Sequence, residues 1–162
     1  MPQETTTGIS QQADGPSKLT PFIAYSKLDK DAARDFVAKL KSRGWIDPWI
    51  DVEDILPGQV WQAAVATGVR NSHAVIILLS KAALASEGYF QNEIRLALDT
   101  VAEKPEGTIF IIPIRLDECE VPEMLKKYQY VDYFGEARQK ESVFSSLIAA
   151  LRVRAEHLDI KT

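Results

Sequence analysis

Ala74-Val75-Ile76-Ile77-Leu78-Leu79-Ser80 carries no charge and shows no apolar–polar alternation. A strand of that kind is apolar on both faces, as in the middle of a parallel sheet covered by helices. Before it, Val60 to Arg70 places Trp61, Ala64, Val65 and Val69 at helical spacing. After it, Lys81 to Ala85 has room for one helical turn, Ser86-Glu87-Gly88 breaks it, and a longer helix runs to about Glu103. Further out, Thr20-Pro21-Phe22-Ile23-Ala24-Tyr25-Ser26 reads as a first strand. Lys27 to Lys30 is a polar loop, and Asp31 to Lys41 a helix with Ala33, Phe36, Val37 and Leu40 inward, capped by Asp29 or Asp31 and stopped by Gly44. Trp45 to Asp51 is a second strand, shortened or placed at an edge by Pro48. Thr108 to Arg115 is a buried strand in which Pro113 marks where pairing ends. Leu116 to Lys127 is acidic and at best briefly helical. Tyr128 to Tyr133 is the last strand, and Glu141 to Arg154 a helix with Val143, Phe144, Leu147, Ile148 and Leu151 inward, followed by a fraying tail from Ala155. Strands alternating with helices imply right-handed crossovers and an α/β fold. The expected architecture is a flavodoxin-like three-layer sandwich, a five-stranded parallel sheet with helices on both faces.

The 162 residues suit one domain, with residues 1–18 as a polar tail or linker, 19–155 as the domain and 156–162 as a C-terminal tail. The net charge of −4 speaks against nucleic acid as the main partner. No run approaches the roughly 18 apolar residues of a membrane span, and no basic-then-apolar leader opens the chain. Cys119 is the single cysteine, which allows no internal disulfide and points to a cytoplasmic location. Its neighbours Asp117, Glu118 and Glu120 offer a thiolate no support.

The chemistry-bearing stretch is Ser86-Glu87-Gly88-Tyr89-Phe90-Gln91-Asn92-Glu93-Ile94. Phe90, Ile94, Ala97, Leu98 and Val101 form its core face, Glu93 lies on the rim of that face, and Tyr89 stands one turn before Glu93. An acid and an aromatic ring are thus presented together, although a solvated Glu beside a core aromatic gives the same pattern. In a parallel sheet, ligands bind beyond the C-terminal strand ends at the switch point. Tyr25-Ser26-Lys27, Asp51 to Glu53, Ser80 and the Tyr89–Glu93 helix can all converge there. Val52 to Gln59 is a loop with a Pro57-Gly58 turn of type II. Its Ile55 and Leu56 either form a contact surface or fold back on the core.

Several chemistries lack their residues. There is no Gly-rich dinucleotide fingerprint and no phosphate-binding P-loop. One cysteine and two histidines, His73 and His157, cannot build a Cys/His zinc site, and no metal site is expected. The nucleophile elbow Gly-x-Ser-x-Gly is missing. A phospho-acceptor receiver would need an aspartate where Ser80 stands and paired acids where Tyr25-Ser26 stands.

The motifs resemble those of TIR (Toll/interleukin receptor) domains, from about Thr20 to Arg154. Phe22-Ile23-Ala24-Tyr25-Ser26 resembles the family's first motif, and Trp49 to Gly58 its second strand and BB loop. Ser72 to Ser80 resembles the third strand, and Ser86 to Glu93 the Ser/aromatic/Glu segment. The likeness is greatest to bacterial and NAD-cleaving animal members. It implies that Glu93 is the catalytic glutamate and that Tyr89, where many members have Trp, stacks on the nucleotide. It further implies that Tyr25, Ser26, Lys27, Trp49, Asp51, Glu53 and Ser86 line a substrate cleft. Glu53, Asp54, Ile55, Leu56, Pro57 and Gly58 would form a self-association loop. NAD is then a substrate, no cofactor is needed, and the partners are NAD and further copies of the domain. Phe90 stands where plant members often carry Cys, and Ser26 where some animal members carry a basic residue. These departures bear on substrate preference and rate rather than on the acid. A TIR adaptor acting only by homotypic contacts is the alternative.

Overall fold

The central apolar run forms strand β3 (Ala74–Leu79), every residue of it buried. The computed structural model describes residues 17–50, 56–86 and 89–162, with the side chains of Trp61, Gln62 and Tyr89 also outside the described set. In chain order the elements are β1 (Pro21–Ala24), α1 (Lys30–Lys41), β2 (Trp49–Ile50), α2 (Trp61–Asn71), β3, α3 (Lys81–Ala85), α4 (Tyr89–Val101), β4 (Ile111–Arg115), β5 (Val131–Asp132) and α5 (Ala137–His157). Short 3-10 turns cover Lys27–Asp29 and Glu123–Leu125. The sheet order is β2-β1-β3-β4-β5 and all pairings are parallel. The chain moves outward from β1 to β2, then returns to the other side as β3. The switch point therefore lies between β1 and β3.

Alternation along the strands divides the core in two. Ile23, Ile76, Leu78, Ile112 and Ile114 face α1 and α5, meeting Phe36, Leu40, Phe144, Ile148 and Leu151. Phe22, Ala24, Val75, Ile77, Leu79 and Ile111 face α2, α3 and α4, meeting Val65, Val69, Ala83, Phe90, Ile94 and Ala97. Each fully buried side chain of this size contributes roughly 1.5–3 kcal/mol. β3 supplies both cores, which is why its sequence cannot alternate.

Some elements differ from the sequence reading. The predicted strand Trp45 to Asp51 is split. Ile46 bridges Leu19, and β2 begins only at Trp49, because Pro48 between them has no N–H to donate. Pro113 does not end β4, since it pairs with Ile77 and the strand continues to Arg115. Phe110 O accepts from Val75 and Leu116 N–H donates to Leu79, so alternate residues bond β3, whereas Arg115 O accepts from Tyr133. By that alternation Pro113 turns its missing N–H toward β5, which joins only from Ile114 onward. The last strand shrinks to Val131–Asp132, and α5 starts four residues before the predicted helix, after Gly135 at φ +92°. No fraying begins at Ala155. That residue is fully buried, and Asp159 at φ 57° folds the chain back so that Ile160 N–H reaches Ala155 O and its side chain is buried.

Candidate functional site

Glu93 is 1% exposed. The sequence reading set it on a solvated rim, and the structure corrects this. Positions 90, 93, 94 and 97 form one helical stripe, and α4 turns that whole stripe inward, carrying the acid with Phe90 and Ile94. Taking a carboxylate from water costs several kcal/mol unless the fold compensates it, and Glu93 is held by an interaction inside the fold. The sequence signal was present. Glu93 occupies a core position of the periodicity, and only its charge argued for the rim.

Around the C-terminal ends of β1 and β3 the described residues come together as follows. Tyr25 and Ser26 leave β1 and are both buried, 6% exposed. Ser26 caps the 3-10 turn, its Oγ accepting from Leu28 N–H at 3.3 Å. Lys27 follows and is exposed. Asp29 stands at the N-cap position of α1 but makes no side-chain capping bond there. Its Oδ2 accepts instead from Ser80 Oγ, at 2.5 Å, across the switch point. Ser80 is 3% exposed and also caps α3, accepting from Ala83 N–H at 3.0 Å. Ser86 closes α3, donating to Ala83 O at 2.8 Å. Sequence reading missed Asp29 and Ser80 as a pair. A short-range cap is the usual use of Asp in that position, and nothing local signals a partner 51 residues away.

Asp51, Glu53, Asp54 and Ile55, and the Tyr89 side chain, lie outside the described residues. The end of the same loop is described. Leu56-Pro57-Gly58-Gln59 is a turn closed by Gln59 N–H on Leu56 O at 3.1 Å, with Gly58 at φ +89°, as the Pro-Gly pair predicts for type II. Leu56 and Val60 are 67% and 70% exposed, so Leu56 does not fold back on the core. Trp49 is half-buried, with its ring stacked on Phe22 at 5.0 Å and its edge against Gly68 of α2. It lines a cavity of about 690 Å³ that runs along α2 from Val60 to Asn71 and is also bounded by Thr20 and Lys41. None of Tyr25, Ser26, Lys27, Ser86 or Glu93 belongs to that cavity wall.

Toward β4 and β5 the same end of the sheet is strapped shut. Asp117 accepts Lys81 N–H with both oxygens, at 3.1 and 3.2 Å. Arg115 donates to both oxygens of Asp132, at 2.6 and 2.7 Å, and to Cys119 O at 2.8 Å. The guanidinium holds the Asp132 carboxyl below its usual range. Burial, then Asp117, pushes the Cys119 thiol up, so it stays protonated and unreactive. Among the described residues no cluster could hold a metal ion, and no helix is long and apolar enough to cross a membrane.

The family model described as TIR domain matches residues 22–148. The chain belongs to the TIR family. Among solved structures this TIR domain is similar to that of the Toll-related receptor TRR-2 from Hydra magnipapillata, at 22% identity and a TM-score of 0.67. That match covers 82% of this chain and 97% of the receptor's. A prokaryotic SEFIR domain aligns at 14% identity and TM-score 0.59, over 82% and 98%. A metazoan TIR-STING receptor from C. gigas, solved in complex with 2',3'-cGAMP, aligns at 22% and 0.64, over 78% of this chain and 38% of that one. At these identities the likeness shows the fold. The uncharacterized protein y4cD of Sinorhizobium fredii (strain NBRC 101917 / NGR234) is 24% identical over 96 residues, 59% of this chain. The chain spans only 15% of that relative's length.

Proposed function

We propose that this TIR domain cleaves NAD, releasing nicotinamide by hydrolysis or cyclisation, and is switched on by self-association, as an immune-signalling protein or a bacterial effector. The observation that carries the reading is Glu93, a carboxylate kept 1% exposed on the helix that follows β3. Buried acids concentrate at functional sites because structure alone gains little from them. The bond to break joins the ribose C1′ to nicotinamide, already a cationic leaving group. It departs as neutral nicotinamide with the bonding pair, leaving an oxocarbenium ion. In hydrolysis water adds to C1′ and loses a proton, giving ADP-ribose. In cyclisation an adenine nitrogen adds instead. A carboxylate fixed beside the ribose stabilises the cation and accepts from its hydroxyls, as in glycosidases. Tyr89, at the first position of α4, supplies a ring to hold the nucleotide by stacking.

The test is free nicotinamide after incubating the concentrated protein with NAD, beside Glu93→Gln. Release by the original protein and loss of at least about a hundredfold in the variant are expected. Equal rates in the two would remove Glu93 from the chemistry. No release by the original protein would leave the adaptor reading; the exposed Leu56 and Val60 fit both readings.

A further inference from the structure

Helix α3 is five residues long, too short to hold itself in water. Its position is set by what grips its first turn. On one side, Ser80 accepts the Ala83 N–H and donates its own O–H to Asp29 on the β1 loop. On the other side, Asp117 from the β4 loop accepts the Lys81 N–H. A capping hydroxyl is ordinarily free to turn its proton to water. Here it is committed to a carboxylate, and the two strands flanking the switch point are tied through it. Ala83 is fully buried in the same cluster as Phe90 and Ile94, the α4 side chains on either side of Glu93 in its stripe. A displacement of α3 therefore changes the packing around Glu93.

We propose that Asp29 is a positioning residue for Glu93. By accepting the Ser80 hydroxyl it latches α3 across the switch point, and through the core cluster that Ala83 shares with Phe90 and Ile94 it sets the surroundings of the Glu93 carboxylate. Asp29 itself touches no substrate. The latch stands on the hydrogen bonds alone; only its effect on turnover rests on the NAD-cleaving reading.

Asp29→Ser removes the latch yet keeps a good N-cap for α1, while Asp29→Asn keeps an oxygen that can accept from Ser80. In the isotopically labelled full chain, Asp29→Ser is expected to speed exchange of the Ala83 and Leu84 amides by roughly tenfold and to move the Glu93 carboxyl carbon resonance. Asp29→Asn is expected to restore both. Combining Asp29→Ser with Ser80→Ala should do no more than Ser80→Ala alone, because Ser80→Ala already breaks the Asp29 bond along with the Ala83 cap. Should Asp29→Ser fail to fold, Ser80→Thr, which keeps the hydroxyl, against Ser80→Ala makes the same comparison. A Glu93 resonance that stays in place when the latch is cut, even with a lower melting temperature, overturns the proposal. So does full additivity of the two changes. For turnover, Asp29→Ser should lower kcat and leave KM unchanged, with recovery in Asp29→Asn. If the original protein releases no nicotinamide while the resonance follows the latch, the NAD reading falls and the latch stands. If it releases nicotinamide and Asp29→Ser does so at the same kcat, the positioning role falls and the reading stands.

Discussion

At the N-terminal ends of β1 and β3 the chain is closed by backbone and imidazole hydrogen bonds, one buried guanidinium and apolar side chains, whereas at their C-terminal ends it is closed by carboxylates. Below, Leu19 bridges Ile46, Thr20 exchanges bonds with His73, Arg154 Nε donates to His73 O at 2.7 Å, and Ile160 covers the seam. Above, Asp29 accepts from the Ser80 hydroxyl, Asp117 accepts from Lys81 N–H, and Glu93 is buried. Arg154 apart, the lower closure draws on groups that cost little to bury once satisfied. The upper one sets negative charge into or beside the core, where each group is expensive unless a partner holds it. A sheet that places its carboxylates at one end has separated its foundation from its candidate site, as a parallel α/β fold allows.

The contrast breaks most sharply at Glu93. Glu93→Gln keeps the volume and most hydrogen-bonding capacity, so the fold should survive while nicotinamide release falls at least about a hundredfold. A variant that loses fold and activity together would mean that the upper end is structural like the lower. The next effect is on assembly. Leu56→Asp with Val60→Asp changes two exposed side chains, so stability should stay within about 0.5 kcal/mol per site. Specific activity of the original protein should rise with its concentration, and that rise should vanish in the double variant, together with association in sedimentation. Identical concentration dependence in both would remove the tip from activation.

Legibility in the sequence followed the same division. The unbroken apolar run of β3 and the helical spacing of Ala33, Phe36, Val37 and Leu40 were enough for a parallel sheet covered by helices on both faces. Local pattern sees neighbours, and these are decided by neighbours. Glu93 was misplaced because charge outweighed its position in the stripe. The Asp29–Ser80 bond was invisible because it joins two loops that are adjacent only after β1 and β3 pair. Ile160 was missed because its burial requires the left-handed turn at Asp159, which Asp permits but does not announce.

Between the two ends, Gly68 fixes the wall that carries the exposed tip. A Cβ there would lie 2.7 Å from Cζ3 of Trp49, whose ring is stacked on Phe22 and so cannot retreat freely. Gly68→Ala would gain roughly 1 kcal/mol of helix propensity in α2. The overlap should outweigh it, for a net loss of about 1–2 kcal/mol. Because Trp49 opens β2 and Gly68 sits on α2, the two elements bounding the loop should separate slightly, and association should weaken with stability. A more stable Gly68→Ala protein would show that the ring gives way and that the wall is soft.

The smallest effect belongs to the lower end and to pH. His73 Nδ1 accepts Thr20 N–H at 2.9 Å, so the fold requires the neutral ring. Burial, then the cations Arg154 and Lys104, hold its pKa below the ordinary 6.5. The unfolded chain then binds a proton more readily than the folded one, and stability rises with pH across that interval. His73 should contribute its full share above about pH 6.5 and lose it as pH falls from there through the folded-state value. His73→Asn can present an oxygen near the place of Nδ1 and does not titrate. Urea unfolding from pH 8 to 5 should therefore show the original protein losing stability relative to the variant below pH 6.5, with His157 common to both and cancelling in the difference. Parallel curves would mean that the ring titrates alike in both states and that the Thr20 bond does not select its neutral form. Nicotinamide release per folded molecule should be unchanged by His73→Asn, since the lower end supports the site without reaching it.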